Sequence, residues 1–251
     1  MYALCGIVGI LVAGWLFCYL LVKRGQCDSD GLFLLLFAGV GCVIGSHMLY
    51  GLTHIRAWDE LANVTSLQEA LLLLGTLFGG GVFYGGLIGG ISASFLYIRR
   101  KKLSSAIFSD CGAICIPLFH TFARIGCFLA GCCYGIEAEW GFAASENPFI
   151  PEVVGIHRFP TQLLEAFLNL ILFMILLSLR NTSHLQGHLL HLYLLLYATM
   201  RFSVEFLRGD IIRGIWFGLS TSQWISLCLW LISGISLIRA HRQRTHAPDL
   251  L

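Results

Sequence analysis

Apolar residues run along this chain in long blocks, not in the alternation of a strand or the one-sided stripe of a soluble helix. A membrane span needs about 20 mostly apolar residues. Segments of that kind cover Ala3–Val22, Gly31–Tyr50, Leu71–Ile98, Ala106–Gly131, Leu163–Leu179, Leu189–Leu207 and Trp216–Ile238. The pattern therefore predicts seven transmembrane helices. The third and fourth segments are long and interrupted by glycine or polar residues, which suits a tilted helix, a re-entrant piece or a surface-lying lead-in. The first has no basic residue before it and no small-residue cleavage site after it, so it reads as a retained span. Between spans the largest segments are 51–70 and 135–160. The second carries Glu137, Glu139, Trp140, Glu146 and Glu152 with three prolines, and reads as a small outer head.

Basic residues orient the spans. With the N-terminus outside, the inner side holds Lys23, Arg24, Arg99, Arg100, Lys101, Lys102, Arg180, Arg239, Arg242 and Arg244. The outer side holds only Arg56, Arg158, Arg208 and Arg213. That excess predicts N-out and C-in, with a cytoplasmic C-terminus. No repeat or low-complexity tract divides the chain, so residues 1–251 read as a single integral membrane domain.

Composition agrees. The 251 residues are 57% hydrophobic and 12% charged, against about 25% charged in soluble domains. That excludes a disordered chain, a coiled coil and a soluble dinucleotide-binding enzyme. The net charge of +2 gives no basis for a nucleic-acid partner. The fold class is all-α, a polytopic membrane protein.

Polar groups inside spans carry the chemistry, because an intramembrane charge costs from about 2.5 kcal/mol upward and is rarely idle. His120, Arg124 and Cys127 are spaced i, i+4, i+7 and share one helix face; Asp110 lies on about the same face, nearer the inner side. Tyr197, Arg201, Glu205 and Arg208 form a second stripe. Gln162, Glu165 and Asn169 form a third. Mutual neutralisation of Arg201 and Glu205, with Glu165 and Asn169 as interhelical glue, is the plain alternative. Arginines in spans otherwise suit an anionic group, since guanidinium forks bind phosphate bidentately. Gly81, Gly85 and Gly89, with Gly86 and Gly90 beside them, fit close helix packing or backbone approach to a headgroup equally well. Tyr84 sits within that run. Ten cysteines are too few for a disulfide scaffold. Cys127, Cys132 and Cys133 form C-x4-C-C, which is not a structural-zinc spacing, and no C-x-x-C is present. No metal and no organic cofactor is implied.

Four stretches, in order, resemble the prolipoprotein diacylglyceryl transferases of bacteria. They are Gly80-Gly81-Val82-Phe83-Tyr84-Gly85-Gly86-Leu87-Ile88-Gly89; Asp110 with Ala123-Arg124-Ile125-Gly126-Cys127-Phe128-Leu129-Ala130-Gly131 and Gly135; Pro160-Thr161-Gln162-Leu163 with Glu165; and Tyr197, Arg201, Val204-Glu205-Phe206 with Arg208. The resemblance covers roughly residues 75–238. It implies a seven-span enzyme of the bacterial inner membrane with a small periplasmic head. Such an enzyme moves the diacylglyceryl group of phosphatidylglycerol onto the cysteine thiol of a prolipoprotein lipobox, forming a thioether and releasing glycerol phosphate. Within this chain, Leu129-Ala130-Gly131-Cys132 spells a lipobox but lies in the interior, so it is not read as a self-modification site.

By that resemblance Arg124 matches the arginine of G-R-x-G-N, and Tyr197, Arg201 and Glu205 match the sixth-span residues. Departures are specific. Tyr84 replaces the histidine of H-G-G, Cys127 the asparagine of G-R-x-G-N, and Phe159 and Leu164 the His and Tyr of H-P-x-Q-L-Y-E. Ala130-Gly131-Cys132 replaces N-G-E. Losing the H-G-G histidine leaves His120 or the Arg201/Glu205 pair as the proton acceptor. The expected catalytic residues are Arg124, Arg201, Glu205 and His120. The expected substrate-binding residues are Tyr84, Gly85, Gly86, Cys127, Gln162, Glu165, Tyr197 and Arg208. Arg124 and Arg201 clamp the phosphate while a thiolate displaces it. Rival readings are a related transferase with another acceptor, a transporter or flippase for an anionic lipid, and a thiol oxidoreductase using the three cysteines.

Overall fold

A computed structural model describes residues 1–54, 66–143, 154–209 and 214–245. Its helices are α1 (Tyr2–Lys23), α2 (Asp28–Thr53), α3 (Leu67–Phe78), α4 (Phe83–Lys101), α5 (Ser105–Leu129), α6 (Thr161–Leu179), α7 (Leu189–Val204) and α8 (Thr221–Thr245). Strands are few: β1 (Glu137–Phe142), and β2 (Ile215–Trp216) paired antiparallel with β3 (Leu219–Ser220). The chain is an all-α polytopic membrane protein. Its exposed side chains include Leu11, Trp15, Leu36, Ile91 and Trp230, while Asp110, Glu165, Asn169 and Arg201 are buried. That inside-out distribution is what a hydrocarbon solvent selects.

Among the described residues, α1, α2, α5, α6 and α8 are long and apolar enough to span a membrane. The pair α3 and α4, bent by 85°, makes a sixth span if counted as one. Length and composition thus support five or six of the seven expected segments. Helix α7 has 16 residues, about 24 Å of helix and short of a full hydrocarbon layer; it continues as a short 3₁₀ turn, Glu205–Leu207. The third segment is the interrupted one, broken at Gly79–Val82. The fourth is continuous, even across Pro117, where the Thr121 hydroxyl donates to the Pro117 carbonyl at 3.0 Å. The seventh starts later than its hydropathy suggests. Phe217 and Gly218 both have positive φ (50° and 78°), which turns the chain between β2 and β3 ahead of α8.

The chain divides into two compact units, Leu21–Ser105, and Met1–Leu20 with Ala106–Leu251. In the first, α2 packs on α4 along a glycine seam. A Cβ on Gly45 or Gly85 would collide with the other's carbonyl oxygen, and the same holds for Gly41 and Gly89. Backbone contact this close is the small-residue mode of helix association in lipid. At the open end of the seam, Tyr97 Oη donates to Asp30 Oδ1 at 3.1 Å.

The second unit is built on α5, α6, α7 and α8, with Phe17 of α1 against Phe108 (ring centroids 6.3 Å apart). Buried Ile114, Leu172, Leu176, Leu189, Tyr193 and Ala198 form its core. Asp110 closes it in an unusual way. Its Oδ2 accepts from the Gly187 N–H at 2.6 Å and its Oδ1 from the Leu189 N–H at 3.0 Å. A carboxylate on α5 thus satisfies the start of α7, where orphan donors and the positive dipole end favour an anion. Two charge-assisted bonds are lost in Asp110→Ala, so this variant should lose about 2–4 kcal/mol of stability. A clear drop in the thermal midpoint of the detergent-solubilised protein checks this; an unchanged midpoint removes the capping role.

Candidate active site

Helix α6 follows Pro160 and carries Thr161, Gln162, Glu165 and Asn169 inward, all buried. Glu165 is the centre of a three-element ion cluster. Arg124 Nε on α5 reaches its Oε2 at 2.7 Å, and Arg208 Nη1, just beyond the 3₁₀ turn after α7, reaches its Oε1 at 3.1 Å. The Glu165 and Arg208 side chains are 1% and 3% exposed, whereas Arg124 keeps 22%. Two cations on one carboxylate leave a net positive charge, and its accessible part belongs to Arg124. The stripes read from the sequence as separate faces of three segments meet at this residue.

Arg201 and Glu205 form a second pair on α7 and the turn that follows it, Nη2 to Oε2 at 2.6 Å, with side chains 9% and 7% exposed. Arg201 Nη2 also donates to Ser222 Oγ of α8 at 3.1 Å. Its Nη1 is buried and has no hydrogen-bond partner among the described residues. A buried guanidinium with an unused donor is poised for an anionic acceptor. Between the clusters stands Tyr197, which feels the charges of Arg124, Glu165 and Arg201 and hydrogen-bonds Arg124. The His120 ring lies 5.7 Å from that of Tyr197 and beside Asn169 and Arg124. Arg124, Glu165, Tyr197, Arg201, Glu205, Arg208 and His120 therefore belong to one compact region of one unit.

The chain leaving α5 turns back sharply through Gly131 (φ 66°) and Cys133 (φ 60°). Positive φ at a non-glycine residue is uncommon and stores strain. Two bonds from α6 hold the turn: Thr161 Oγ1 donates to the Cys133 carbonyl at 3.0 Å and Gln162 Nε2 to the Cys132 carbonyl at 2.6 Å. Gly135 then slots between Phe159 and Leu207, where a Cβ would lie 2.6 and 2.8 Å from their carbonyl oxygens. As a result the Cys127, Cys132 and Cys133 sulfurs lie within 4.8 Å of one another. The linear spacing argued against a metal; the fold brings the three ligand atoms together regardless. The Cys132 thiol donates to the Cys127 carbonyl at 3.6 Å, and the Arg208 guanidinium lies beside Cys133.

Tyr84, Gly85 and Gly86 open α4 in the other unit. Gly85 and Gly86 face Gly45, Leu49 and Cys42 of α2, and Tyr84 is partly exposed beside Phe83. Gln162 spends its amide on the Cys132 carbonyl, and Glu165 both carboxylate oxygens on arginines. The head segment 135–160 is described at 135–143 and 154–160. There β1 runs beside Arg158, whose guanidinium stacks on Tyr134 at 4.5 Å, and the His157 Nδ1 donates to the Gly141 carbonyl at 3.0 Å. Glu146, Glu152, Pro148, Pro151, Arg56, Arg213 and His246 lie outside the described residues. Sequence reasoning missed Ser222, Thr161 and Tyr2. Tyr2, on the first turn of α1, lies near the three cysteines and Arg124. A hydroxyl at a span end carries no signal by itself; Thr161, inside the Pro-Thr-Gln run, did.

The chain as a whole is similar to proteins of one known family. The family model for prolipoprotein diacylglyceryl transferase matches residues 1–239. A phosphatidylglycerol–prolipoprotein diacylglyceryl transferase of Clostridium tetani is 35% identical, over 94% of this chain and 91% of the relative. A second enzyme so named, from Clostridium perfringens, is 32% identical over 94% of this chain and 88% of its own length. One from Idiomarina loihiensis is 32% identical over 84% of this chain and 76% of its own.

Proposed function

The chain belongs to the prolipoprotein diacylglyceryl transferase family, and from that premise we propose how its buried arginines serve the reaction. It is a membrane transferase that moves the diacylglyceryl group of phosphatidylglycerol to a prolipoprotein. The acceptor is the thiol of a lipobox cysteine in the signal peptide, the new bond is a thioether, and glycerol phosphate leaves. The observation that carries this reading is the buried Nη1 of Arg201, without a partner among the described residues, in the same unit as the positively charged Arg124–Glu165–Arg208 cluster.

In this reading Arg124 and Arg201 grip the phosphate and stabilise negative charge as it builds on the bridging oxygen. Glu205 orients Arg201, and Glu165 with Arg208 fixes Arg124. Tyr197 spans the two arginines, and either the Arg201/Glu205 pair or His120 takes the thiol proton. The protein sits in the bacterial inner membrane, N-terminus outside and C-terminus cytoplasmic, with residues 135–160 as the periplasmic head. The ten-to-four excess of basic residues supports that orientation.

Purified protein, phosphatidylglycerol vesicles and a lipobox peptide test this. The peptide should gain the mass of one diacylglyceryl group, and a Cys→Ser peptide should gain none. A product lipidated elsewhere, or on another acceptor only, would contradict the assignment.

A further inference from the structure

A thiol is a poor nucleophile until it loses its proton, and this chain has Tyr84 where the family it resembles carries a histidine. The three-cysteine turn offers another way to make a thiolate. Zinc–sulfur bonds of about 2.3 Å in a tetrahedron place sulfurs about 3.8 Å apart. The Cys127, Cys132 and Cys133 sulfurs, all within 4.8 Å of one another, need only small rotations to reach that spacing. The turn is rigid at the points that matter: Gly131 and Cys133 take left-handed backbone, and Thr161 and Gln162 clamp the Cys132 and Cys133 carbonyls. No histidine or carboxylate joins the group among the described residues.

We propose that Cys127, Cys132 and Cys133 bind one Zn²⁺ as three thiolates, and that its fourth position receives the cysteine thiol of the incoming lipobox. The proposal rests on the transferase reading above and adds the device that activates its acceptor. Thiolate donors select soft or borderline ions such as zinc. Three thiolates and Zn²⁺ sum to one negative charge, and the Arg208 guanidinium lies against Cys133 to balance it. Three protein ligands with one open position is the arrangement of a working zinc, whereas a purely structural site closes with four. A thiol that coordinates the ion is deprotonated outright; its proton passes to the Arg201/Glu205 pair or to His120. The zinc-bound sulfur then forms the S–C bond at the glyceryl carbon. The C–O bond to phosphate breaks, and its electron pair leaves with glycerol phosphate between Arg124 and Arg201. No redox change occurs, and the ion is retained.

The metal titration needs no lipid; transfer is read afterwards on the same protein with phosphatidylglycerol vesicles added. Full-length protein, reduced and stripped of metal in detergent, is titrated with Cd²⁺, whose thiolate bonds absorb in the ultraviolet, with Zn²⁺ as competitor. The expected result is saturation at one ion per chain, displacement by Zn²⁺, and loss of the band in the C127S/C132S/C133S variant. Adding the lipobox peptide should then raise the band by about one third, as a fourth thiolate joins three; the Cys→Ser peptide should not. Wild-type protein that binds no stoichiometric Cd²⁺, or a triple variant with an undiminished band, overturns the site. A band unmoved by the cysteine peptide overturns the activation role. Bound metal and a peptide-enhanced band without any lipidated product would instead sink the transferase reading, so the two failures are distinguishable.

Discussion

Arg201→Ala should lower turnover with phosphatidylglycerol and lipobox peptide by at least about 10²-fold, the cost of removing one donor aimed at developing charge. The loss should fall on kcat more than on KM, because the interaction strengthens as the bridging oxygen takes up charge. The geometry gives the reason. Glu205 and Ser222 hold Nη2 of Arg201 and leave Nη1 buried and without a partner among the described residues, so the guanidinium is preorganised. Arg201→Lys keeps a charge but loses the planar fork, and should recover only part of the activity. Arg124→Ala should fall by the same order. Near-normal turnover in both alanine variants would remove the phosphate grip.

Glu165→Ala should be the most damaging single change to the fold. It leaves Arg208, 3% exposed, without the carboxylate that neutralises it, and frees Arg124 from α6. Breaking a buried pair from one side costs about 3–5 kcal/mol, because a charge stays buried uncompensated. Arg124 is partly accessible, so most of that cost is assigned to Arg208. The thermal midpoint in detergent should drop sharply. Glu165→Ala combined with Arg208→Met should regain part of the loss, since the stranded charge is then gone. If the single variant melts like the parent, or the double variant is worse by the full sum, the cluster does not hold these elements together.

Much of this was legible in the chain. Hydropathy blocks marked the spans, and helical spacing put Arg124, Arg201 and Glu165 on their stripes. What periodicity lacks is distance between stripes. Nothing local says that Arg124 and Arg208, 84 positions apart, share Glu165. Asp110 shows the same limit: its partners lie 77 and 79 residues on, so a spacing rule placed it on a face but could not reveal a cap. The glycine run at 79–90 signalled both a break and a packing seam, and the structure holds both, an 85° bend at its start and contact with α2 beyond it. For the cysteines, C-x4-C-C gave no sign of their proximity, because linear spacing does not show how a loop folds. Left-handed backbone at Gly131 and Cys133 folds a short loop tightly enough to bring three sulfurs together. Helix α7 reads as a full span by hydropathy because the apolar run continues into the 3₁₀ turn, where the helix has already ended.

The decisive measurement follows labelled headgroup and peptide together in one reaction. Phosphatidylglycerol labelled in its glycerol phosphate is given to the purified protein in vesicles with a lipobox peptide. Soluble glycerol phosphate and thioether-linked peptide are then counted. One glycerol phosphate per lipidated peptide, both lowered at least about 10²-fold by Arg201→Ala, is the predicted result. Labelled lipid that changes leaflet while its headgroup stays attached and the peptide stays unmodified would contradict it.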